Sequence, residues 1–214
     1  MRLVLKLVFV VVLTVGTSQV VPAQTFVAGS TGSANSLTTL FARDPLGQSV
    51  CFKDGGQSGL FQNGQTRNRC SDLNFNSNSA NGFSVGVEGG RQGVILDLGT
   101  PEELKGKYGY QETVGGGQGF ASIDVKNGKA LILKDYKSGL LQEIKESDQL
   151  FRTPSENYSS LPVKLGHVYL LRITDRNDKS YETFAKVLVV AYTPGESVTV
   201  RWQAISNNET AKMD

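Results

Sequence analysis

Histidine, tryptophan and cysteine are nearly missing from this chain, and each shortage removes a class of chemistry. His167 is the single histidine of the 214 residues. Serine and cysteine nucleophiles need a basic partner, and one imidazole is all there is to supply it. No G-x-S-x-G elbow occurs either. His167 follows Gly166 where a strand should begin, and it reads as a surface or strand-end residue. Two cysteines and one histidine are too few for a zinc centre. No cofactor is expected.

An excess of charge is missing too. The 22 Lys and Arg exceed the 20 Asp and Glu by two. Arg2 and Lys6 both lie in the apolar leader described next, so without it the balance is 20 against 20. Nothing then favours nucleic acid or an anionic surface as a partner.

Long apolar runs are absent except at the start. Met1-Arg2 precedes the run Leu3 to Val15, and Val21-Pro22-Ala23 supplies small residues for cleavage. This has the form of a secretory signal peptide over 1–23, with a mature chain from Gln24. The run is short for a membrane span and Lys6 interrupts it. The expected destination is secreted, periplasmic or cell-surface, with no transmembrane segment once the leader is removed. In that setting Cys51 and Cys70 are expected to form a disulfide. Closing a loop of that length stabilises a fold by about 3 kcal/mol in the chain-entropy account.

What is present is a succession of short β patterns. His167 to Ile205 reads as a three-stranded meander. Phe184 to Tyr192, FAKVLVVAY, is apolar at both parities, which marks a central strand covered on both faces. Lys186 is expected to snorkel out near its start. Thr193-Pro-Gly-Glu196 fits a type II turn. Val198, Val200, Trp202 and Ala204 then alternate with Thr199, Arg201 and Gln203, giving one dry face and one wet one. That parity makes Trp202 a core residue rather than a sugar-stacking platform.

Upstream, Gly82 to Gly99 reads as a hairpin turning at Glu88–Arg91. Thr100-Pro-Glu-Glu103 opens a short helix with a capping box, which Gly106 should stop after a turn. Lys126-Asn-Gly-Lys129 between apolar runs predicts a tight type I′ hairpin. Leu140 to Phe151 reads as a strand followed by a loop, and Thr153 to Pro162 as a connection. Together these give an all-β fold: an antiparallel β-sandwich, jelly-roll-like, with one or two short helical turns. The expected organisation is a flexible arm over 24–36, one sandwich domain over 37–205 and a polar tail over 206–214.

Three stretches invite functional readings. Lys107 to Phe120, KYGYQETVGGGQGF, joins Tyr108 and Tyr110 to a glycine-rich segment containing Gln118. Exposed tyrosines beside flexible glycines suit ligand contact, so these three are the ligand-binding candidates. Asp72, Asn74 and Asn76 recur at alternate positions and resemble the start of a calcium loop. Ser77 stands where glycine should, and no closing glutamate follows, so a half-exposed strand with Leu73 and Phe75 inward is the preferred reading. Glu88, Asp97, Glu112 and Asp124 are carboxylates that a glycosidase would need in pairs, with no pair singled out by spacing. Asn157-Tyr-Ser159 and Asn208-Glu-Thr210 have the form of glycosylation sequons.

The reading that follows is a non-catalytic binding or adhesion-type module with an extracellular carbohydrate or protein as ligand. The alternatives are a structural envelope protein with no small ligand, and a carboxylate-dependent glycoside hydrolase.

Overall fold

The apolar run beginning at Phe184 lies in a sheet that is dry on both faces. A computed structural model of the chain describes residues 36–43, 48–52, 56–57, 71–76, 80–86, 90–109, 122–135 and 137–205. The early strands are β1 (Ser36–Phe41), β2 (Ser49–Cys51), β3 (Gly56–Gln57), β4 (Leu73–Phe75), β5 (Gly82–Val85) and β6 (Arg91–Gly99). Helix α1 (Pro101–Tyr108) leads to β7 (Ile123–Lys126), β8 (Lys129–Asp135) and β9 (Leu140–Glu143). A 3₁₀ turn (Ser147–Phe151) and α2 (Glu156–Ser159) precede β10 (Ser160–Pro162). The meander closes the fold as β11 (Val168–Asp175), β12 (Glu182–Thr193) and β13 (Ser197–Ile205).

The central sheet has the order β1-β13-β12-β11-β6, and a second sheet has the order β10-β5-β4-β2-β3, all pairs antiparallel. The inner face of the central sheet carries Leu40, Ile95, Tyr169, Leu171, Val187 and Val200. It packs on Val50, Leu73, Phe75, Phe83 and Val85 of the second sheet. This is the expected all-β sandwich, though its strand order does not confirm a jelly roll. Trp202 is buried here, its ring 5.0 Å from that of Phe52 and its Nε1 donating to Thr38 Oγ1 at 3.0 Å.

The outer face of the same sheet makes a second core. Val94, Val168, Leu170 and Phe184 pack against Leu104 and Tyr108 of α1 and against Ile123, Val125 and Ile132 of the small sheet β7-β8-β9. Burial on both sides is why β12 and β11 read as nearly continuous apolar runs.

Several local expectations hold. Thr100 Oγ1 accepts the Glu103 N–H at 3.2 Å while Glu103 Oε2 accepts the Thr100 N–H at 2.7 Å, a complete capping box. Asn127 and Gly128 have φ of 52° and 66°, the positive pair that a type I′ turn requires.

Others are corrected. β5 and β6 do not form a hairpin: β5 belongs to the second sheet and β6 to the central one. Alternation records which side of a strand is dry, and both strands face the same core from opposite walls. The crossover is tight, since a Cβ on Gly86 would lie 2.5 Å from the Gln92 backbone. Gly106 does not end α1. The helix continues to Tyr108, because the box and the burial of Leu104 and Tyr108, four residues apart on one side, outweigh the cost of about 1 kcal/mol for glycine. Gly109, at φ 63°, makes the stop.

Lys186 does not snorkel out. It is 3% exposed, on the outer face between Phe184 and Leu188, and burial lowers its ammonium pKa to about 8. A bulge at Val190 also shifts the register of β12, so Tyr192 turns inward to meet Phe75 although its parity matched Phe184. Asp72 and Asn74, expected outward, are buried with Leu73 and Phe75. The connection 153–162 carries α2 and β10.

Candidate functional site

Of the three ligand-binding candidates, Tyr108 is described and Tyr110 and Gln118 lie outside the described residues. Tyr108 is 3% exposed, and its hydroxyl accepts the Lys145 N–H at 2.9 Å. The helix carries it inward beside Leu104, so it offers no open ring for a ligand. Among the glycosidase carboxylates, Glu88 and Glu112 lie outside the described residues, and Asp124 pairs with Lys126 on an exposed hairpin.

The three calcium candidates serve local structure. Asp72 Oδ2 accepts the Phe52 N–H at 2.8 Å, and its other oxygen lies 3.8 Å from Arg91 Nε. Asn74 Nδ2 donates to Ser71 Oγ at 2.8 Å, and Asn76 Oδ1 accepts the Asn81 N–H at 2.8 Å. No group of three His, Cys, Asp or Glu suited to a metal ion occurs among the described residues. Cys51 is buried, and Cys70 lies outside the described residues.

Two polar features mark one end of the sandwich, where β1, β6 and β12 finish and β11 begins. The first joins β6 to the turn before β11. Asp97 Oδ1 meets His167 Nδ1 at 2.8 Å and the Gly99 N–H at 2.9 Å, and Asp97 Oδ2 accepts from Lys164 Nζ at 2.9 Å. Burial pulls the Asp97 pKa upward, but the His167, Lys164 and Gly99 hydrogen bonds outweigh it and hold the carboxyl below the ordinary value. Beneath it Tyr169 donates its hydroxyl proton to the Pro162 carbonyl at 2.8 Å and accepts the Lys164 N–H at 3.0 Å. This is the tyrosine-corner arrangement of β-sandwiches. His167 hydrogen-bonds through Nδ1 to Asp97, and its ring lies 6.5 Å from that of Tyr169. The pair braces the corner between β6 and the turn before β11.

The second feature is a cavity of about 570 Å³ at the β1 margin, lined among the described residues by Phe41, Arg43, Gly195 and Glu196. Pairing of β1 with β13 brings these distant segments together: Phe41 stands opposite Ser197, and the Ala42 N–H donates to the Glu196 carbonyl at 2.8 Å. The 193–196 turn is fixed by Gly195 at φ 72° and by its N–H donating to Asn81 Oδ1 at 2.6 Å. Phe41 is 45% exposed, and Arg43 and Glu196 are exposed as well. Among the described residues no ion pair joins Arg43 to Glu196, so the cavity lining carries both a guanidinium donor and a carboxylate acceptor. Sequence reading passed over this site because its halves lie some 150 residues apart in the chain. The local signal was Phe41, an aromatic with the outward parity of Leu37 on an uncharged strand.

Compared with protein families, with curated proteins and with solved structures, the chain finds no match. Function is therefore argued from the cavity itself. Its groups can stack, donate and accept.

Proposed function

We propose that this chain is an exported, non-catalytic binding module that meets its ligand at the Phe41–Arg43–Gly195–Glu196 cavity. The observation that carries the reading is an aromatic ring left open to solvent in the lining of that cavity, together with the exposed Arg43 and Glu196, charges of opposite sign that form no ion pair with each other. Large apolar groups in such positions mark contact surfaces.

Export is supported by the leader-like start of the sequence. A Cys51–Cys70 disulfide would belong with it. The Phe52 N–H bonds the Asp72 carboxylate, so the chain beside Cys51 runs next to the chain beside Cys70. Among the described residues no helix is long and apolar enough to cross a membrane.

The test is retention of the purified mature chain, Gln24 onward, on intact cells or insoluble envelope material of the producing organism. Binding of the wild type and its loss in Phe41→Ala, with far-UV circular dichroism unchanged, is the expected result. Equal retention of both proteins would refute the assignment of this cavity.

A further inference from the structure

We infer that the ligand of this cavity is a neutral, hydroxyl-rich polysaccharide chain, an inference that rests on the binding role proposed above. The charge arrangement selects it. An anionic polymer arriving at Phe41 would be drawn by Arg43 and repelled by Glu196, and a cationic one would meet the reverse. A neutral polyol satisfies both groups, because each hydroxyl can donate to the carboxylate and accept from the guanidinium. The open Phe41 ring supplies an apolar face for the C–H side of a sugar.

The surface next to the cavity fits a chain rather than a single sugar. Phe41, Thr39 and Leu37 share the outer face of β1, where Leu37 is 42% exposed and Phe41 45%. Four residues of strand separate the two, about 14 Å, the span of a short oligosaccharide. Between them the Thr39 and Thr199 hydroxyls lie 2.9 Å apart, and Arg201, which has an interaction of its own, stands opposite Leu37 at the far end. A linear polymer seated over Phe41 would continue across this face towards Leu37.

Affinity electrophoresis of the mature chain in gels containing mannan, dextran or mixed-linkage β-glucan tests the inference, with alginate and polygalacturonate as anionic polymers. Retardation by at least one neutral polymer and by neither anionic one is expected. Phe41→Ala should weaken it about tenfold, and Leu37→Glu should weaken long chains more than short oligosaccharides. Leu140→Ala, on the exposed edge of the third sheet, should bind as the wild type does. Glu196→Gln leaves Arg43 unopposed and should gain retardation by alginate. Wild-type binding to an anionic polymer or a protein, lost in Phe41→Ala, would overturn the neutral-polysaccharide assignment while leaving the cavity's role standing. Neutral-polymer binding unaffected by Phe41→Ala would overturn the cavity itself, and no retardation by any neutral polymer would overturn the inference.

Discussion

Arg91 is held over the ring of Tyr181, its guanidinium carbon 3.3 Å from the ring centre. The same guanidinium reaches Asp175 at 3.1 Å and lies 3.8 Å from the fully buried carboxylate of Asp72. One side chain thus ties the start of β4, the start of β6 and the end of β11 at the end of the sandwich away from the cavity. Arg91→Met would leave Asp72 buried without its cation, at a cost of about 3–5 kcal/mol. Adding Asp72→Asn should recover part of the loss, since an amide oxygen still accepts the Phe52 N–H. Urea unfolding of the three proteins measures both effects. A cost below about 1 kcal/mol would put the network with ordinary surface ion pairs.

Tyr169→Phe removes one donor and one acceptor that close the corner before β11. The Pro162 carbonyl and the Lys164 N–H then lose a partner, for about 1–3 kcal/mol. Hydrogen exchange at the Lys164 amide should accelerate before any change in the β12 amides. Unchanged protection at Lys164 would show that the hydroxyl does not hold the corner.

Lys186 sets an alkaline dependence. Its folded pKa is about 8, against about 10.4 in an unfolded chain. Between those values the unfolded state binds more protons, so stability rises with pH across that window. Below pH 8 both states are charged and the burial penalty, of order 3 kcal/mol, is present in full. Lys186→Met should remove the slope, its stability difference from wild type shrinking as pH rises from 8 to 10. Parallel stability curves for the two proteins would refute the shift.

Asp97 acts at the other limb. Its pKa is lowered because three donors outweigh burial, so its contribution is present above the unfolded value and lost as pH falls through the folded one. Asp97→Asn should flatten the acid side of the stability profile. A carbon-detected titration placing the Asp97 carboxyl at or above the ordinary aspartate value would contradict the geometry.

Gly86 and Gly128 both have positive φ, 68° and 66°, but differ in their surroundings. A Cβ at Gly128 meets open space, whereas one at Gly86 would strike the Gln92 backbone. Gly86→Ala should therefore cost clearly more than Gly128→Ala, for which about 1 kcal/mol is expected. Equal costs in thermal unfolding would mean that β5 and β6 are not closely apposed at Gly86.

The sandwich was legible where local chemistry and tertiary environment agree. FAKVLVVAY announced a strand dry on both sides, Asn127-Gly128 fixed a turn, and Thr100 with Glu103 announced a helix start. Legibility failed where one pattern fits two partners. The Phe83–Val85 and Val94–Leu98 alternation suits a hairpin and a crossover equally well. The bulge at Val190 and the burial of Lys186 came from packing that no local window contains. The cavity was the least legible part, since Phe41 meets Glu196 only through strand pairing across the whole domain.

Ser36 and Trp202 face each other across neighbouring strands that run in opposite directions, so the body is entered and left at the same pole, with the Phe41 cavity at the other. An immobilising bead coupled directly at Ser36 or at Ile205 would hold the sandwich by that pole and leave the cavity at the opposite one.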